Sequence, residues 1–120
     1  MTIITATPAN SAANPFELPA IQAHDFRGGR QCRFAFENRY GASVVRHSGS
    51  YGNREGLWEL AVLYDDDNVG PARIDEWELC YGSSITDDVI GNMTIDDVNA
   101  TLRKIGDLAD APEDRRNPWR

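Results

Sequence analysis

The chain has 120 residues, 41% hydrophobic and 26% charged, with 19 acidic against 12 basic residues and a net charge of −7. Such a chain holds one domain with an apolar core, which excludes a wholly disordered protein, and no stretch approaches the roughly 18 apolar residues that cross a bilayer. The acidic balance argues against general nucleic-acid binding, which needs a basic footprint.

Residues 1–30 carry three of the six prolines, as many acids as bases, and no hydrophobic period of 2 or 3.6. They read as an extended or disordered N-terminal arm ahead of a domain spanning 31–110, with a loose tail at 111–120. The first residues hold neither a basic cluster nor a sustained apolar run, so they are not a secretory signal and a cytoplasmic location is expected. Within the arm, Phe16-Glu17-Leu18 is a short motif suited to docking on the domain or on a partner.

From Cys32 the pattern alternates: Cys32, Phe34 and Phe36 against Arg33, Ala35 and Glu37, a half-buried strand. A turn at Asn38-Arg39-Tyr40-Gly41 leads to a second strand over 42–47, and the two form a hairpin. Residues 48–56 are a loop with three glycines. Residues 57–64 are apolar on both faces except at Glu59, which marks a central strand. After a loop at 65–71, Trp77, Leu79 and Tyr81 alternate with Glu76, Glu78 and Cys80, a fourth strand with one wet face. The period then changes. Ile95, Val98, Leu102, Ile105 and Leu108 form one helical stripe. Thr94 and Asp97 have the spacing of a capping box, Asp96-Asp97 and Arg103-Lys104 suit the two ends of the helix dipole, and Gly106 marks a weak last turn. The expected fold class is α+β: an antiparallel meander of about four strands with one C-terminal helix packed on the sheet.

The charges are unevenly spread. Residues 55–100 carry twelve acids against Arg73, a net of −11, whereas residues 32–54 carry a net of +3. Asp65, Asp66, Asp67, Glu76, Glu78, Asp87 and Asp88 form a candidate acidic interaction surface for a basic partner. The ordinary account of part of this charge is a loop, a helix start and solubilising strand positions. The second candidate is the segment from Arg39 to Arg54, where Tyr40, Arg46, His47, Tyr51 and Arg54 lie among glycines. Tyr and Arg carry interface energy, and an anionic group would sit against Arg46 and His47. The ordinary account is a loop with surface arginines.

Catalytic and metal signatures are weak. Asp65, Asp67, Gly70 and Glu76 fall on the first, third, sixth and twelfth positions of an EF-hand loop, but Val69 at the fifth cannot ligate and the flanks read as strands. Cys32, Cys80, His24 and His47 match no zinc-finger spacing. His47 has Ser43, Ser48 and Ser50 near it in sequence, but there is no G-x-S-x-G, no P-loop and no G-x-G-x-x-G. No metal, no cofactor and no enzymatic activity are expected. Cys32 and Cys80 read as free thiols of a reducing compartment, with a single bridge between neighbouring strands left open.

The phrases RYGASVVRHSGSYG, GLWELAVLY and ITDDVIGNMTIDDVNATL, between about Phe36 and Ile105, resemble a group of small proteins encoded by bacteriophages and prophages. Two departures stand out: Arg39 where a glycine is usual, and Asn92-Met93 in place of an aromatic–aliphatic pair. The resemblance implies a phage accessory protein and brings no assigned reaction. The expected function is therefore non-enzymatic: a protein of the host cytoplasm that binds and modulates a host protein, as an anti-defence or host-takeover factor. Two alternatives stand beside it: a protein that binds or sequesters a small anionic ligand such as a nucleotide signal, and a minor structural or assembly protein. An exposed sheet edge also suits homo-oligomerisation.

Overall fold

The structure, a computed structural model, describes residues 3–4, 14–46, 56–80 and 89–108. Seven strands make one antiparallel sheet: β1 (Ile3–Ile4), β2 (Gln22–Phe26), β3 (Gly29–Phe36), β4 (Tyr40–Arg46), β5 (Trp58–Tyr64), β6 (Glu78–Leu79) and β7 (Ile90–Met93). A 3-10 turn spans Pro71–Glu76, and the helix α1 spans Ile95–Gly106. The α+β class stands, but about four strands understates the sheet.

The expected meander is its centre. β3, β4 and β5 pair in sequence order, with Cys32 opposite Val44 and Val44 opposite Leu60. Each outer edge of this trio is shared by two short strands. β2 covers Gly29 to Arg33 of β3 and β1 covers Ala35 and Phe36. On β5, β7 covers the Trp58 end and β6 the Tyr64 end. Short partners thus satisfy backbone groups that a bare edge would present to other chains.

The arm assigned to residues 1–30 is corrected where the structure describes it. β2 and β3 form a hairpin through Arg27 and Gly28, both at positive φ (48° and 80°), the geometry whose twist matches that of paired strands. Residues 14–20 strap across α1. Asn14 closes a local turn, its Oδ1 accepting from Phe16 N and its Nδ2 donating to Leu18 O. Glu17 N donates to Asn99 Oδ1 of α1 at 2.9 Å, and Arg103 pairs with the Glu17 carboxylate. Phe16 is buried, edge-on to Trp58 (4.9 Å) and Phe34 (6.0 Å). The motif Phe16-Glu17-Leu18 therefore docks on the domain itself. The tail at 111–120 lies outside the described residues.

Alternation along the strands builds two cores. Cys32, Phe34 and Phe36, with Val44, Leu60 and Tyr64, face α1 and meet Val98, Leu102 and Ile105. The other face is dry only near one end, where Ala35, Leu63, Ile74 and Trp77 cluster. Trp77 reaches this place because its Nε1 donates to Gly70 O at 3.0 Å, folding the 3-10 turn back onto the sheet. Gly41 makes room for it: a Cβ there would lie 2.4 Å from Phe34 O and 2.9 Å from Trp77 Cζ3.

The fourth strand differs from its expected facing. Pairing of Leu63 with Leu79 turns Cys80 into the main core, where Cys80 N donates to Val62 O, and leaves Leu79 39% exposed. Tyr81 lies outside the described residues. The hairpin between β3 and β4 turns at Glu37-Asn38-Arg39, one residue earlier than the sequence suggested, with Arg39 N donating to Phe36 O and Arg39 at φ 70°. Asn38 ties this turn to α1: its Nδ2 donates to Ile105 O and Leu108 O, and its Oδ1 accepts from Tyr40 N. The other end of α1 carries the expected capping box, Asp97 N donating to Thr94 Oγ1 and Thr94 N to Asp97 Oδ2. Ile95 leaves the apolar stripe and is 43% exposed. Cys32 and Cys80 are both buried thiols, and no bridge joins them.

Candidate functional site

The acidic candidates divide into structural and surface residues. Asp65 is buried, and this corrects its place on an interaction surface. Its Oδ1 accepts from Val69 N and its Oδ2 from Gly70 N, both at 2.8 Å, so the carboxylate closes the 65–70 loop from within. The main-chain oxygen of Asp65 accepts from Arg39 Nη2 at 2.6 Å, and the Arg39 guanidinium lies 5.2 Å from the centre of the Tyr64 ring. The calcium-loop spacing noted in the sequence is thus that of a loop wound round its own aspartate. Asp66 and Glu78 are half-buried, while Asp67 and Glu76 are exposed. Glu76 takes two bonds from the Arg73 guanidinium (2.5 and 2.6 Å), which hold its carboxyl below the usual range. Asp87 and Asp88 lie outside the described residues.

These groups share one end of the sheet with Glu37 and Asp75. There Glu37, Asp65, Asp66, Asp67, Asp75, Glu76 and Glu78 stand against Arg39 and Arg73. A recess of about 430 Å³ opens beside them, walled by Ile4, Phe36 and Trp77 and lined also by Glu37, Arg39, Asn68 and Pro71. Apolar walls beside a cluster of carboxylates suit the stem and head of a basic side chain.

The second candidate is dispersed by the fold. Tyr40 is a core residue, 3% exposed and edge-on to Tyr64 at 4.9 Å, so it does not offer its ring to a partner; this corrects its reading as a recognition residue. Its alternation in β4 sends it inward with Ala42 and Val44. Arg46 lies at the opposite end of the strand, its guanidinium 5.0 Å from the centre of the Trp58 ring. His47, Tyr51 and Arg54 lie outside the described residues. Arg30 stands directly across the ladder from Arg46, a neighbour that sequence reasoning missed. Strand register alone brings them together, and residues 16 apart carry no local signal of it.

His24 bonds Gln31 Oε1 through Nε2 at 3.0 Å, and Gln31 Nε2 donates to Ser43 Oγ at 3.0 Å. A glutamine therefore separates this histidine from the nearest hydroxyl of the chain of bonds, and no nucleophile–base contact forms there. Among the described residues, no three or more His, Cys, Asp or Glu gather as a metal site, and no helix is long and apolar enough to cross a membrane. Burial pushes the Cys32 thiol up to about 11, which keeps it a neutral core group. Comparison with protein-family models, curated proteins and solved structures finds no match.

Proposed function

We propose that the chain works by contact, as a non-enzymatic accessory protein of phage type whose acidic sheet end docks on a basic surface of a host protein. The observation that carries this reading is the acidic end of the sheet, where seven carboxylates stand against Arg39 and Arg73 beside a recess with apolar walls from Phe36 and Trp77. A lysine or arginine of the partner would lay its stem on the walls and its charge by Glu37, with Asp66 and Asp67 of the neighbouring loop adding to the attracting field. Such an interface gains on-rate and specificity from complementary charge, and its affinity from the few desolvated anchors. The phage character rests on the sequence resemblance and the contact reading on the recess.

The test is retention of host proteins on immobilised chain across a salt series. The native chain is compared with Asp66→Arg/Asp67→Arg/Glu78→Arg and with a helix control, Asp96→Arg. A host protein retained by the native chain and the control, lost in the triple variant, and eluted as salt screens the contact is the expected result. Identical retention by all three chains, or none by the native chain at low salt, rejects the reading.

A further inference from the structure

The end of the sheet remote from the acidic recess holds an arrangement that folding alone does not favour. Arg30 of β3 and Arg46 of β4 are direct ladder partners, and both project to the face that carries α1, in line with Cys32 and Val44. Like charges placed opposite each other destabilise a strand pair. Among the described residues the relief is slight: Asp25 reaches Arg30 at 3.4 Å, but its own side chain is 89% exposed. The Arg46 guanidinium lies over the Trp58 ring, 5.0 Å from its centre, a contact that positions it without neutralising it.

The two arginines line a recess of about 270 Å³ with Pro15, Gly56, Trp58 and Ile95. Ile95 is the residue that leaves the helix stripe, and it stands on the rim of this recess, 43% exposed. Pro15 comes from the strap across α1. The first turn of α1 offers no anion site of its own, since Asp96 and Asp97 occupy it and Thr94 with Asp97 caps it. The cationic character of the recess therefore comes from the guanidiniums.

From this geometry we infer that the Arg30–Arg46 recess is a binding site for a phosphate monoester of a small organic molecule. The paired guanidiniums supply forked donors to phosphate oxygens, and a dianion between them offsets the repulsion of the ladder pair. Pro15 and Ile95 supply the apolar rim for the organic body. The volume suits a small ligand, at or just below the usual size of such pockets. The site is separate from the acidic recess, so it stands or falls without the docking reading.

The test uses the full chain and three probes: inorganic phosphate, ribose 5-phosphate and adenosine 5′-monophosphate. Binding is read by calorimetry and by the shift of the Trp58 indole N–H resonance, with thermal melts of each free protein. The variants are Arg30→Gln and Arg46→Gln, with Lys104→Gln as a remote control of equal charge change. The expected result is saturable binding of at least one ester, tighter than inorganic phosphate, weakened about 10-fold or more by either arginine variant and unchanged by the control. Free Arg30→Gln should melt at or above the native temperature, because it removes the repulsive pair; a role confined to structure would lower the melt instead. Preference for the nucleotide assigns a nucleotide, and equal binding of the two esters assigns the phosphate ester as such. Absence of saturable binding, equal loss in Lys104→Gln, or inorganic phosphate binding as tightly as both esters overturns the inference.

Discussion

Phe16→Ala asks whether residues 14–20 belong to the folded body. Phe16 is 7% exposed and sits edge-on against Phe34 and Trp58, with the strap fixed to α1 by the bond from Glu17 N to Asn99 Oδ1. Removing a buried phenylalanine costs about 3–5 kcal/mol, the lower figure applying where the site can collapse. The strap lies at the margin of the core and can move inward, so the expected loss is about 3 kcal/mol. That is a large share of the roughly 5–15 kcal/mol by which domains are stable. Urea melts followed by tryptophan fluorescence should show a lower midpoint at unchanged slope. Glu17→Ala is the internal comparison: its partner Arg103 is as exposed as it is, 53% each, and its loss should stay within about 0.5 kcal/mol. A loss below about 1 kcal/mol for Phe16→Ala would refute the packing argument and restore the strap to a dispensable arm.

Three further outcomes are expected. Gly41→Ala should destabilise the chain by about 3 kcal/mol or more, seen in chemical melts, because its Cβ would meet Phe34 O at 2.4 Å and force Trp77 aside. Arg39→Ala should cost roughly 1 kcal/mol more than Arg39→Gly, since both lose the bonds to Asp65 O but only glycine takes the φ of 70° without strain; equal losses would contradict this. The Cys32 thiol ionises near 11 in the folded chain against an ordinary 9.0, so the folded form holds its proton more tightly. That contribution is complete below pH 9 and disappears as the pH rises towards 11. Melts over this window should therefore fall more steeply for the native chain than for Cys32→Ala, and parallel curves would speak against it.

Long alternating segments were legible because their periodicity survives in one sequence. Cys32 to Phe36 and Trp58 to Tyr64 each present three or more inward positions, and both lie in the central trio. The helix and its cap were equally plain, as Thr94 and Asp97 act within one turn. Three of the seven strands were missed. β1 has two residues and β7 has four, too few to show a period, while β2 is mostly polar and none of its residues is fully buried. The expected fourth strand contains β6, but its alternation put Cys80 on the wet side, and Cys80 is buried. At the candidate sites, exposure was the illegible quantity: Tyr40 and Asp65 look like surface residues in a loop-rich stretch, and packing buries them.

The amino-acid sequence by itself determined the α+β class, the central hairpin, the capped helix and the acidic bias, all of which depend on neighbours within a few residues. Tertiary structure alone decided that Phe16 belongs to the core, that Asp65 closes its loop from inside, and that Arg30 faces Arg46. Each of these depends on residues far apart in the chain, brought together by strand register and by the burial of a second sheet face. Register is a property of two strands at once, and no single stretch of residues encodes it.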